Sequence, residues 1–274
     1  TTSAKVPFTN TYKLVTPDRL SIPVEKEYTS NPEGIAKPSI DRAYLFTISA
    51  AEGTPMPEVT EYTYRGETVT FGVIEYTTVG EFTYTITETP VEDIAVPGVS
   101  IIEGTKTVKV TVTDDGKGNL TATHDMGETG KVKLHNQYTL DSTTAQIPVQ
   151  KTLTVPAGLT GPDEDVTFTF TLDAVDNAPM PEEGEEVITI SLQSGVAAKS
   201  FGSIEYTKPG TYKYTVTESG SYAYIDNDAV SVKEVVVEVT DNNNAMTAVV
   251  KYTEGETTSA KVPFTNTYKL VTPD

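Results

Sequence analysis

Each half of the chain places a lysine, a glutamate and an asparagine where the alternation of a β-strand would bury them. Side chains at positions i, i+2 and i+4 share one face of a strand. By this rule six polar residues lie on otherwise apolar faces: Lys26, Glu88, Asn136, Lys151, Glu218 and Asn266. Lys26, for example, follows Ile22 and Val24 on its face of the strand. The same three residue types, twice and in the same order, indicate a shared chemical role.

The reaction that such a trio could perform is an amide exchange. Burial disfavours the charged form of an isolated group, so it favours a neutral lysine amine and a protonated carboxyl group. The amine would be the nucleophile and the asparagine carboxamide the electrophile. The glutamate would donate to the carboxamide oxygen and then pass the amine proton to the leaving ammonia. The product would be an intramolecular isopeptide bond, Lys26 to Asn136 with Glu88, and Lys151 to Asn266 with Glu218.

The alternative interpretation of each trio is a buried ion pair with an additional asparagine hydrogen bond. Such pairs seldom stabilise a protein more than well-packed apolar residues do. A purely structural role therefore explains poorly why the same trio occurs twice.

Composition excludes several classes of function. The chain has 274 residues, no cysteine and a net charge of −19. Without cysteine there is no disulfide, thiolate nucleophile or cysteine-based metal site. The negative charge argues against nucleic-acid binding and against anionic membranes, both of which need basic patches. No apolar run reaches membrane-spanning length, so we expect no membrane insertion.

Two levels of repetition organise the chain. Residues 1–18 are identical to residues 257–274, which predicts a tandem array and a piece taken from the middle of a longer protein. A weaker repeat relates the halves, as in FGVIEYTTVGEFTYTITE at 71–88 and FGSIEYTKPGTYKYTVTE at 201–218. We therefore predict one domain over residues 19–141 and another over 142–274, whose last strand reaches about residue 270. Residues 1–18 would be the last strand and linker of the preceding repeat, with Asn10 left unbonded.

The alternating runs are rich in Thr, Val and Tyr and are separated by turn signals such as Asn31-Pro32 and Gly161-Pro162-Asp163. No segment keeps a helical apolar period. The predicted fold is all-β: two tandem immunoglobulin-like antiparallel β-sandwiches of seven or more strands each, joined into a rod.

The three segments around the trio resemble the isopeptide-bonded domains of Gram-positive pilins and surface adhesins, most closely those of the streptococcal major-pilin type. The lysine segments are Pro-Val-Glu-Lys26 and Pro-Val-Gln-Lys151, and the asparagine segments are His-Asn136-Gln-Tyr and Thr-Asn266-Thr-Tyr. The glutamates end the segments 82–88 and 212–218. The resemblance implies a lysine on the first strand, an asparagine on the last and a glutamate between them. A sorting signal and a polymerising lysine motif are not recognised in the sequence, which favours a repeat in an adhesin stalk.

Other polar groups have simpler interpretations. Glu75 and Glu205 fall on solvated strand faces. The acidic stretches 163–165, 182–186 and 226–228 fit turns better than calcium sites. His124 and His135 lack partners for zinc, and Ser100 and Ser203 lack a His–Asp pair. We expect no metal, no cofactor and no catalysis on another molecule.

The resulting hypothesis is a structural spacer of an extracellular, cell-wall-attached bacterial adhesin or pilus, whose partners are adjacent repeats of the same polypeptide. The rival hypothesis is a module that binds a host glycan or protein. A binding module should expose an aromatic or apolar patch, for which Tyr222 and Tyr224 are the loop candidates. A host ligand could also bind at a distal domain of the same adhesin.

Overall fold

The computed structural model describes residues 5, 7–13 and 16–269. Contacts divide the chain into two compact units, of which the first ends at Thr139 and the second begins at Leu140. Strands form the regular structure of the described residues, and this confirms the all-β prediction. None of these residues belongs to a helix that is long and apolar enough to cross a membrane.

The described residues of unit 1 form nine strands in two sheets. The strands are β1 (Asp18–Asn31), β2 (Tyr44–Ala50), β3 (Glu61–Thr63), β4 (Val69–Tyr76), β5 (Gly80–Pro90), β6 (Val99–Glu103), β7 (Thr105–Asp114), β8 (Leu120–His124) and β9 (Val132–Thr139). A four-stranded sheet has the order β4-β1-β9-β6, and a five-stranded sheet has the order β3-β2-β5-β7-β8. The core draws Ile22, Val24 and Leu134 from the first sheet and Tyr84 and Ile86 from the second, so the two sheets pack face to face.

Unit 2 repeats this arrangement with short additional strands. They are β10 (Thr143–Ala145), β11 (Pro148–Thr154), β12 (Val166–Val175), β13 (Val187–Leu192), β14 (Gly195–Ser200), β15 (Ile204–Tyr206), β16 (Gly210–Ser219), β17 (Ile225–Asp226), β18 (Val232–Asp241), β19 (Met246–Glu254), β20 (Thr257–Ser259) and β21 (Val262–Tyr268). The four-stranded sheet has the order β14-β11-β21-β17 and the facing sheet the order β13-β12-β16-β18-β19-β20, while β10 pairs with β15. The core again joins the two larger sheets, for example through Val149 and Phe264 on one and Phe170 and Val216 on the other.

The sequence led us to expect antiparallel strands throughout, but two strand pairs are parallel. β1 runs parallel to β9, and β11 runs parallel to β21, whereas the other strand pairings of the described residues are antiparallel. Parallel neighbours cannot be joined by a tight hairpin and need a long crossover. Here most of each unit forms that crossover, so the beginning and the end of the unit lie side by side.

The duplicated segment near the start of the chain behaves differently from its copy. Residues 7–13 form no strand, and Phe8 in this segment is 91% exposed. The residue at the same place in the copy, Phe264, is fully buried in β21. The sequences are identical, but β21 lies between β11 and β17, which supply its backbone partners, and its Phe264 packs in the core of unit 2. Asn10 lies exposed within the segment 7–13.

Candidate functional site

The fold brings the three residue types of each trio together from two facing sheets. In unit 1, Lys26 and Asn136 lie on the neighbouring strands β1 and β9, where Lys26 pairs with Leu134 and Tyr28 pairs with Asn136. Lysine and asparagine are therefore two residues apart in register and face the same side. Glu88 reaches them from β5, the central strand of the facing sheet. Unit 2 has the same register, because Lys151 pairs with Phe264 and Leu153 with Asn266.

The predicted burial of all six side chains is confirmed. The side chains of Lys26 and Glu88 are 1% and 0% exposed, and those of Lys151 and Glu218 are 0% and 1% exposed. Asn136 and Asn266 are fully buried. The residues therefore occupy an interior from which water is excluded.

In unit 1, one carboxylate oxygen of Glu88 accepts hydrogen bonds from both the lysine and the asparagine nitrogen. The Lys26 Nζ donates to Glu88 Oε1, and the Asn136 Nδ2 donates to the same oxygen at 3.0 Å. The second oxygen, Glu88 Oε2, and the carbonyl oxygen Asn136 Oδ1 are buried without a hydrogen-bond partner among the described residues. A proton on Glu88 Oε2 would give the carboxyl group a donor for the carbonyl oxygen of the amide.

The surroundings of Lys26 lower the pKa of its amine. The Nζ lies 4.7 Å from the centre of the Tyr44 ring and 5.7 Å from that of Phe46. Burial lowers the pKa of Lys26, and the hydrogen bond and charge of Glu88 oppose this shift without cancelling it. The backbone of Glu88 is fixed as well, since its N–H donates to the Gly104 carbonyl at 2.7 Å.

Unit 2 shares the lysine–glutamate contact. The Lys151 Nζ donates to Glu218 Oε1 and lies 4.3 Å from the centre of the Phe168 ring. Burial lowers the pKa of Lys151, while the contact with Glu218 opposes the shift. The Glu218 N–H donates to the Ser231 carbonyl at 2.8 Å, which corresponds to the Glu88 contact in unit 1.

Asn266 has different partners from Asn136. Its Oδ1 accepts the backbone N–H of Asp228 at 2.8 Å, and its Nδ2 donates to Asn227 Oδ1 at 3.1 Å. Unit 1 thus joins lysine, glutamate and asparagine in one hydrogen-bonded group. Unit 2 joins lysine to glutamate and holds the asparagine through the loop after β17.

Asp228 and Lys233 lie near this site, although the sequence pattern assigns neither of them a role in it. The Lys233 Nζ donates to Asp228 Oδ2 at 3.2 Å, and both side chains are largely buried. A signal for Lys233 was present, because it alternates with Val235, Val237 and Val239 on the apolar face of β18. Asp228 belongs to the acidic stretch 226–228, which fitted an ordinary turn.

The remaining candidates lie apart from the two trios. Glu75 is exposed and accepts two hydrogen bonds from Arg19, and Glu205 is exposed and accepts one from Ser142. His135 contacts Thr29, and His124 accepts the N–H of Met126. Among the residues that the structure describes, no cluster of three or more His, Cys, Asp or Glu side chains could hold a metal ion.

Tyr222 and Tyr224, the loop aromatics considered for ligand binding, differ in their contacts. Tyr222 donates its hydroxyl to the Thr167 carbonyl, and its ring packs edge-on against Phe168 with the centroids 5.6 Å apart. Tyr222 therefore anchors its loop to β12. Tyr224 is 50% exposed.

Solved structures that align with this chain include a major pilin and repeats of a collagen-binding protein. The major pilin of Streptococcus pyogenes aligns over 93% of this chain and 100% of its own, with 21% identity and a TM-score of 0.27. Two B repeat units of the collagen-binding protein of Staphylococcus aureus align over 92% of this chain and 50% of their own, with 16% identity and a TM-score of 0.30. No curated protein matches the sequence.

A family model gives the decisive comparison. The model of the FctA family, described as a Spy0128-like isopeptide containing domain, matches residues 22–139 and again residues 147–269. Each match begins on or just before the lysine-bearing strand and ends at or just after the asparagine-bearing strand. This confirms the resemblance that the sequence motifs suggested. The chain belongs to the FctA family of Spy0128-like isopeptide-containing domains, of which it carries two copies.

Proposed function

We propose that each unit closes an intramolecular isopeptide bond, Lys26 to Asn136 in unit 1 and Lys151 to Asn266 in unit 2. The observation that carries the proposal is the shared acceptor in unit 1. A buried lysine amine and a buried asparagine amide nitrogen donate to the same glutamate oxygen. Reacting groups that are already held together do not have to find each other in solution. This positioning can remove a large part of the activation barrier of a reaction as slow as amide exchange.

The reaction follows from the placement of the protons. A proton moves from the Lys26 ammonium to Glu88, which leaves a neutral amine beside a protonated carboxyl group. The amine attacks the Asn136 carbonyl carbon, and the Glu88 O–H stabilises the negative charge that develops on Oδ1. The bond from the carbon to Nδ2 breaks, and Glu88 transfers the surplus amine proton to that nitrogen, which leaves as ammonia. Glu218 has the same role in unit 2. The chain modifies itself once and is not an enzyme for another molecule.

The biological role that we propose is a stalk or spacer at the Gram-positive cell surface, attached to the cell wall and built from adjacent repeats of one polypeptide. Each bond would join strands that lie near the two ends of a unit. Tension along the chain would then pass through a covalent bond, and the roughly hundred residues between its ends would stay folded. Such a bond also survives reducing conditions, which suits a chain without cysteine.

Intact mass under denaturing and reducing conditions tests the chemistry. Each bond releases one ammonia, so the mass should fall about 34 Da below the value calculated from the sequence. Glu88→Gln and Glu218→Gln keep the shape of the side chain but remove the carboxyl group, and each should restore about 17 Da. Peptide mapping should then place the surviving bond in the other unit.

Glu75→Gln is the matched control for the change at Glu88. It makes the same substitution at an exposed strand position of unit 1 and should leave the full deficit in place. A wild-type mass equal to the calculated value would refute the proposed bond formation. Glu88→Gln and Glu218→Gln variants that still lose both ammonia molecules would refute the role proposed for the two glutamates.

A further inference from the structure

The Asn266 carboxamide of unit 2 lies in a fixed orientation. A backbone N–H can only donate, so the atom that it contacts must be the carbonyl oxygen of the amide. The Asp228 N–H meets Asn266 Oδ1 at 2.8 Å, and Asn227 Oδ1 accepts from the amide nitrogen at 3.1 Å. Asn227 is held in turn, because its own amide donates to the Gly220 carbonyl at 2.8 Å.

The side chain of Asp228 holds its own backbone in place. Its Oδ2 accepts the Thr265 N–H at 2.7 Å and the Lys233 Nζ at 3.2 Å, and its Oδ1 accepts the Val230 N–H at 2.9 Å. Thr265 directly precedes Asn266 in β21, so the carboxylate ties the loop to the strand that carries the reacting amide. Burial alone would raise the pKa of Asp228, but these hydrogen bonds and the charge of Lys233 bring it below the ordinary value.

The lysine partner of this loop is buried among aromatic rings. The side chains of Lys233 and Asp228 are 5% and 12% exposed. The Lys233 Nζ lies 5.0 Å from the centre of the Phe264 ring, and Phe264 is the residue that pairs with Lys151 across β11 and β21. The ion pair therefore belongs to the wall of the site in unit 2.

The described residues of unit 1 at the corresponding places make different contacts. Lys106 occupies the register position of Lys233, since it pairs with Ile86 as Lys233 pairs with Val216. Its side chain is 39% exposed and forms an ion pair with Glu103 at the surface. The residue that pairs with Asn136 from β6 is the apolar Ile101, whereas in unit 2 the polar residues Asn227 and Asp228 contact Asn266.

From these contacts we propose that the Asp228 N–H is an oxyanion donor for the cross-linking reaction of unit 2, and that the Lys233–Asp228 ion pair positions it. This inference rests on the proposed function. As Lys151 Nζ bonds to the amide carbon of Asn266, the electron pair of the C=O bond moves onto Oδ1, which already faces the N–H. A donor in place before the reaction stabilises that charge without reorganisation. The electron pair re-forms the C=O bond when Nδ2 leaves as ammonia, with the amine proton carried to it by Glu218. In the product, Oδ1 still accepts the Asp228 N–H.

The test compares the two units within one molecule. Cell-free synthesis is stopped, samples are quenched at intervals, and cross-linked peptides from each unit are quantified by mass spectrometry. Lys233→Met should slow bond formation in unit 2 by about 10-fold or more, a smaller effect than removal of an oxyanion donor itself has. Bond formation in unit 1 should keep its rate. Lys233→Arg keeps the charge and the donors and should restore most of the rate in unit 2, which a simple packing role would not predict.

Lys106→Met is the matched control, because it removes the register-equivalent lysine of unit 1 and should change neither rate. If protease resistance shows that unit 2 of Lys233→Met does not fold, Asp228→Asn replaces it as the deciding variant, and it should likewise slow unit 2. If the deciding variant forms the bond of unit 2 at the wild-type rate, this proposal is overturned and the proposed function is not. A wild type that forms no bond in unit 2 would overturn both this proposal and the proposed function.

Discussion

Removal of the electrophile in unit 1 should cost far more stability than the loss of its visible contacts. Asn136→Ala abolishes the bond but keeps the buried Lys26–Glu88 contact. The bond would close a loop of 136 − 26 = 110 residues, and the chain-entropy model gives such a loop about 5 kcal/mol. The free energy of unfolding of unit 1 should therefore fall by about 5 kcal/mol.

Hydrogen exchange in guanidinium chloride, read by mass spectrometry, can follow the two units separately through peptides of β5 and β16. With a denaturant dependence of about 4 kcal/mol/M, a loss of this size moves the unfolding midpoint of unit 1 down by about 1.2 M. The midpoint of unit 2 should stay in place and serve as the internal standard. Asn266→Ala should give the reverse result, since its loop of 266 − 151 = 115 residues is nearly as long.

A fall of less than about 1 kcal/mol in unit 1 would refute this reasoning, provided that the wild-type mass shows the bond to be present. Loop closure would then contribute nothing measurable to stability.

Three further perturbations test other parts of the structure. In Asn266→Ala, Lys151 remains a free amine whose folded pKa is lowered by burial, so the unfolded state binds more protons at pH values between that lowered pKa and about 10. The free energy of unfolding of unit 2 should rise as the pH rises from 7 towards about 9.5 in denaturant titrations, and a flat profile would contradict the lowered pKa. Tyr214→Phe removes a buried hydroxyl that donates to a backbone carbonyl and bonds another tyrosine, and hydrogen exchange of β16 should show a loss of about 1–3 kcal/mol in unit 2. Phe264→Ala should destabilise unit 2 by about 3–5 kcal/mol, whereas Phe8→Ala, the same change in an identical sequence, should leave both unfolding midpoints unchanged because Phe8 is exposed.

Local alternation was enough to predict which side chains of each trio point inward. The period of a strand is two, so a run such as Val262, Phe264 and Asn266 fixes the relative direction of its members wherever the strand is placed. The recurrence of the trio then indicated both the number of units and the chemistry. The family model supports the family that these motifs suggested.

Strand order and direction were not accessible in the same way. Alternation and turn signals predict antiparallel sandwiches, because they describe neighbours along the chain. The parallel pairing of β1 with β9 joins residues more than a hundred positions apart. It depends on how the two sheets close on each other, and no local pattern encodes it.

The partners of Asn136 and Asn266 show a similar limit. Both asparagines follow the same motif, yet one donates to Glu88 and the other is held by the loop that contains Asp228. Lys106 and Lys233 likewise alternate with valines on equivalent strands, but only Lys233 has an acidic partner in the interior. The loop that makes the difference is 38 residues from Asn266 in sequence but only five from Lys233.

The sequence by itself thus determined the face on which each chemically active residue lies, because that depends on the backbone of a single strand. Whether such a face becomes an interior was decided only by the tertiary structure. Phe8 and Phe264 lie in identical sequences, and one is exposed while the other is buried. Burial, and with it the lowered pKa of a lysine or the fixed orientation of an amide, requires a second sheet packed against the first.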